Sequence, residues 1–140
     1  MSHAAASPRG EGSAAEEMQL ISDPRLQAAV AFFNAGDWYA CHDGFEELWH
    51  ETQGPMRPVL QGLLQIAVAE LHQERGNRHG ATVLMGEGLG RLQGCGAVAL
   101  GLCLDSLRRS AGNRLRALQA QLSLADLPLP RLEDPGAGHR

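Results

Sequence analysis

The chain has 140 residues, a mass of 15.0 kDa, 44% hydrophobic content and a formal net charge of −4. That length gives room for one domain, and the acidic balance argues against a general nucleic-acid binder, which presents a basic surface. All twelve basic residues are arginine, which excludes a Schiff-base lysine and a P-loop lysine.

Only nine residues are β-branched, whereas Ala, Leu, Gln, Glu and Arg dominate, so the composition points to an all-α fold. Cys41, Cys95 and Cys103 are odd in number and lack Cys-x-x-Cys spacing, which fits a reduced, cytoplasmic setting better than a disulfide framework or a zinc ribbon. The longest uncharged apolar run, over 95–104, is about half the ~20 residues that a membrane helix requires, so no membrane partner is expected.

Residues 1–20 are small and polar and read as a disordered lead, ahead of a single helical domain over 21–123. Asp23 and Pro24 form a favourable start for a first helix, with Leu26, Ala29, Val30 and Phe33 inward and Gly36 as its C-terminal cap. Asp37 caps a second helix over 38–52, which Gly54-Pro55 closes. A third helix carries Pro58 in its first turn and runs to Arg75. It reads apolar nearly all round, as the centre of a bundle does. Gly76-Asn77 repeats the Gly36-Asp37 device forty positions on and opens a fourth helix over 78–93. An apolar loop over 94–104 precedes a fifth helix over 106–122, capped by Asp105, whose Arg108, Arg109, Arg114 and Arg116 read as a solvated face. Residues 124–140, with Pro128, Pro130 and Pro135, read as an extended tail. The expected architecture is a compact five-helix array built on two antiparallel hairpins.

The polar residues inside this frame are few. Helical geometry projects His42, Phe45, Glu46 and Trp49 from one side of the second helix, and an imidazole and a carboxylate four residues apart can hydrogen-bond or share a cation. Gln61, Gln65 and His72 follow one stripe of the third helix. A tight hairpin would set this stripe opposite His42 and Glu46. Three readings stay open: a hydrogen-bonded core network, a divalent-metal site of His42, Glu46 and His72 with an open water position, or a small-ligand pocket gated by Trp49 and Tyr39. A fourth treats the hairpins as a protein-interaction module. His50 and His79, near helix ends, read as surface histidines.

Phe33-Asn34-x-Gly36, Ala40-Cys41-His42 with Glu46-x-x-Trp49, Gly54-Pro55, Gln61-Gly62-Leu63-Leu64-Gln65 and Arg75-Gly76-Asn77-x-x-Gly80-Ala81 resemble, in order and spacing, the family catalogued as domain of unknown function 309. The resemblance covers residues 24–92 well and the fifth helix loosely. It implies a compact all-helical cytosolic domain. It also implies the polar positions His42, Glu46, Gln61, Gln65 and His72, and a label of metal-dependent hydrolase given to some members without an assigned reaction. Asp43 stands where a glutamate is more usual, and Gly44 replaces a bulky aliphatic residue.

Overall fold

The computed structural model describes residues 9–136, with side chains from residue 14 onward. Its helices are α1 (Arg9–Ser22), α2 (Pro24–Asn34), α3 (Trp38–Glu51), α4 (Arg57–Glu74), α5 (Arg78–Leu92) and α6 (Leu104–Gln119). The only strands among the described residues are β1 (Val98–Ala99) and β2 (Leu102–Cys103), an antiparallel pair inside the apolar loop with Val98 opposite Cys103. The fold is therefore all-α. None of the described helices is long and apolar enough to cross a membrane.

Two turns of the same construction set the hairpins. Gly36 and Gly76 hold φ of 75° and 80°, a left-handed seat that costs a residue without Cβ little. The next N–H then reaches back five residues: Asp37 N donates to Phe32 O at 2.9 Å, and Asn77 N to His72 O at 2.8 Å. Each of these residues at once caps the following helix, with Asp37 Oδ1 accepting from Ala40 N and Asn77 Oδ1 from Gly80 N. The internal symmetry seen in the sequence is thus a repeated stop-and-start signal, and it makes α2–α3 and α4–α5 tight antiparallel pairs.

Helix α4 is buried on most sides, with Leu60, Leu63, Ile66, Ala67 and Ala69 fully shielded. It meets α3 on one flank and approaches α5 most closely on the other. A Cβ added at Gly88 would stand 2.9 Å from Gly62 O and 2.9 Å from Ile66 Cγ1, so the two helices touch through backbone at Gly62 and Gly88. An aromatic group packs under the first hairpin, where Phe33 meets Trp38 edge-on at 5.1 Å and Phe45 at 6.5 Å.

The disordered lead requires correction. Residues 1–8 lie outside the described residues, but Arg9–Ser22 is helical, and its C-terminal half docks on the bundle. Glu16 accepts from Gly54 N and Met56 N at 2.8 Å each, and Glu17 accepts from Leu100 N at 2.7 Å. Leu20 adds an apolar anchor. These carboxylate-to-amide bonds to distant turns stabilise a segment whose local composition favours helix weakly. The fifth predicted helix is α6, beginning two residues earlier than expected. The tail beyond it is extended but not loose, because Leu124 and Leu132 are buried.

Arg25 ties the start of α2 to the end of α3, donating to Asp23 and, through both terminal nitrogens, to Glu51 at 2.8 Å. Its hydrogen bonds hold the Asp23 and Glu51 carboxyls below their ordinary range. Both groups therefore keep their charge to lower pH in the folded chain than in the unfolded one. The stabilisation is present above about pH 4 and is lost as pH falls through the depressed folded-state values. It is modest, since the Arg25 side chain is 37% exposed. Arg25→Ala is accordingly expected to lower the melting temperature at neutral pH and to have a progressively smaller effect as pH falls below about 4, which melts over a pH series will read.

The helix crossing gives a second expectation. Gly88→Ala forces a backbone contact apart and should cost about 1–3 kcal/mol in urea unfolding. Gly86 and Gly90 face open space, so Ala at either should stabilise by about 0.5–1 kcal/mol.

Candidate functional site

His42 lies on α3 with its side chain 30% exposed. Its Nε2 is 3.7 Å from Glu46 Oε1, too long for a hydrogen bond, and its Nδ1 is 3.2 Å from Asp43 Oδ1. Tyr39 stands edge-on to the imidazole at 6.3 Å between centroids and is itself largely exposed. This group is a partly open face of α3.

Trp49 lies in the last turn of α3. Arg57 lies over its ring with Cζ 4.1 Å from the centroid, and Arg57 Nη1 donates to the carbonyls of Trp49 and Thr52 at 3.1 Å each. The arginine thereby satisfies the C-terminal carbonyls of the helix. The indole Nε1 is buried with no partner among the described residues.

The second polar line faces elsewhere. Gln65 Nε2 donates to Glu87 Oε1 of α5 at 3.2 Å, leaving Gln65 Oε1 buried and without a partner among the described residues. His72 sits in the last turn of α4, where Asn77 Nδ2 donates to its Nδ1 at 3.2 Å. The imidazole thus buttresses the α4–α5 turn through the same residue that caps α5. Gln61 is half-buried on α4. Among the described residues no hydrogen bond joins His42 or Glu46 to Gln61, Gln65 or His72. No three His, Cys, Asp or Glu side chains among them are arranged to hold a metal ion. His42, Glu46 and His72 do not form such a group among the described residues.

The most buried charges are ones that the sequence reading placed in solvent or passed over. Arg114 of α6 and Glu70 of α4 form a bidentate pair, Nε to Oε2 at 2.6 Å and Nη2 to Oε1 at 2.7 Å, with side chains 4% and 2% exposed. The solvated-face expectation fails for Arg114, and Arg108 also turns inward to donate to Leu92 O. Arg109 and Arg116 are exposed as expected. The signal was present: Leu107, Ala111, Arg114 and Leu118 follow one inward stripe at spacings of four, three and four. Arg114 Nη1 goes on to the carbonyls of Leu127 and Pro128 at 3.3 and 3.4 Å.

Asn34, a member of the first sequence motif, works at the other end of that tail. Its Nδ2 donates to Leu132 O at 2.8 Å, and its Oδ1 accepts from Leu132 N at 2.7 Å. One side-chain amide therefore pairs with an extended chain as a neighbouring strand would.

Two clefts border these groups. One, of about 670 Å³, lies along α1 above Leu48 and is rimmed by Asp23, Arg25 and Glu51, charges that already satisfy one another. The other, of about 400 Å³, lies between Gln73 and Glu74 of α4 and residues 123–125, with Glu70 and Arg114 lining it.

Residues 26–84 match the model of the family described as Domain of unknown function (DUF309), which bears out the resemblance carried by the motifs. No curated protein matches the chain.

Removing one member of the buried pair leaves the other charged and unsatisfied, so Arg114→Ala or Glu70→Ala should each cost about 3–5 kcal/mol. Replacing both, as Glu70→Leu with Arg114→Met, should recover most of that loss in the same denaturation series.

Proposed function

We propose that this protein is a helical interaction module whose inter-helix polar residues are scaffold, and that it is not a metal-dependent hydrolase. What carries the reading is the separate employment of three of these residues: His72 at a turn, Gln65 against Glu87 of α5, and Trp49 under the arginine that closes α3. A catalytic constellation needs convergence on one reacting atom, with groups within hydrogen-bond reach of each other. By contrast, Asn34 and Arg114 converge on the main chain of one extended segment, which is how a protein surface holds a peptide. Three free thiols fit work in a reducing, cytoplasmic compartment, and a net charge of −4 favours protein over nucleic acid as partner.

Thermal melts of untagged protein with Zn²⁺, Mn²⁺ or Fe²⁺ test this reading. No stabilisation is expected. A saturable rise that His42→Ala abolishes would contradict it, since a ligand bound only by the native state raises stability through mass action. His72→Ala should instead weaken the fold by about 0.5–1.5 kcal/mol, the worth of one hydrogen bond, with no change in metal response.

A further inference from the structure

Helix α6 ends on a third copy of the turn that closes α2 and α4. Leu122 N reaches back five residues to Ala117 O at 2.8 Å, as Asp37 and Asn77 do at their turns. At the first two turns glycine takes the left-handed position. Here Gln121 takes it, at φ 58°, a region that side chains with Cβ populate sparsely. The neighbouring residues 119–123 are exposed. The chain therefore doubles back onto its own body through a strained, solvent-open joint.

Beyond that joint the body grips residues 122–133 almost wholly by main chain. Arg78 donates to Leu122 O at 2.8 Å, Arg114 to the carbonyls of Leu127 and Pro128, and Cys103 N to Glu133 O at 2.8 Å, while Asn34 brackets Leu132 on both sides. Leu124 and Leu132 supply the apolar anchors. Beneath the segment Gln73 Oε1 is buried with no partner among the described residues, beside the cleft of about 400 Å³. The groove is thus a chain-binding site with fixed polar clamps, two leucine seats and an imperfectly filled floor.

We infer that residues 122–136 act as an exchangeable strap: the same segment of a second copy occupies the groove, the two molecules swapping straps about Gln121. This deepens the interaction-module reading, on which it rests, by naming the partner. A second copy fits because its segment meets identical clamps and seats. Extending α6 through Gln121 also releases the left-handed residue and aims the strap away from its own body. Exchange of an identical element in this way adds no new contact chemistry.

The test uses the full chain with a protease recognition sequence placed between Gln121 and Leu122, cut after purification. A fluorescein-labelled synthetic peptide of residues 122–136 is then added in excess. The labelled peptide is expected to enter the groove and displace the cut strap, and a peptide carrying Leu132→Asp should compete at least about tenfold less well, as loss of a buried anchor requires. Absence of uptake while the cut body keeps its helical circular dichroism overturns the inference. So does equal competition by the Leu132→Asp peptide. In the uncut chain, deleting Ala120 and Gln121 removes the return path and should yield dimers by sedimentation; a folded monomer from that variant also overturns it. Zinc binding at His42 would sink the broader reading while leaving strap uptake unchanged, so the two failures are separable.

Discussion

The Glu70–Arg114 pair is the contact on which the two ends of the molecule depend. Glu70 belongs to the most buried helix, α4, and Arg114 to the last helix, α6, 44 positions later. Taking both charges out of water is expensive, and only the two-bond, in-plane geometry and the remaining donors of the guanidinium offset it. The spare nitrogen of Arg114 is aimed at the Leu127 and Pro128 carbonyls. A single arginine thereby fixes α6 against α4 and orients the segment that follows α6. Without the carboxylate its direction would be free, and the strap would lose the donor that reads its main chain.

Around that pair the bundle is assembled from a repeated local device. A left-handed residue closes one helix and the next residue caps another, once at Gly36-Asp37 and again at Gly76-Asn77. Because each turn is short, each hairpin is tight, and the Gly62–Gly88 contact lets α4 and α5 approach backbone to backbone. At Gln121 the same device lacks its glycine and is followed by extended chain instead of helix. The device has its preferred residue at the two hairpins and lacks it where the extended segment begins.

Much of this was legible in the sequence, because the signals that place α2 to α5 are local. Asp23-Pro24, Gly36-Asp37, Gly54-Pro55 and Gly76-Asn77 act within a few residues of themselves. Helix α1 was not legible, since Glu16 and Glu17 find their amide partners at Gly54, Met56 and Leu100. Gln65 bonds away from the expected seam for a geometric reason. Loop length fixes that α4 runs antiparallel to α3 but says nothing of its rotation about its own axis. That rotation is set by Gly62 against Gly88, and it turns Gln65 toward Glu87. Arg114 was hidden by company: three neighbouring arginines suggested solvent, while its own place on the leucine stripe of α6 pointed inward. The seat of the C-terminal segment was harder still, because Asn34 and Leu132 meet across 98 positions and the bond is to main chain, which leaves no side-chain pattern to read.

If residues 122–136 are an exchangeable strap, they part from the body without the body unfolding. Native-state hydrogen exchange at the Leu132 amide measures this most directly, because that N–H is donated to Asn34 Oδ1. Leu132 is expected to exchange by a local opening, faster than the α4 amides, with Asn34→Ala removing the protection at Leu132 while leaving α4 unchanged. Exchange of Leu132 only with global unfolding, at the rate of the α4 amides, would contradict it.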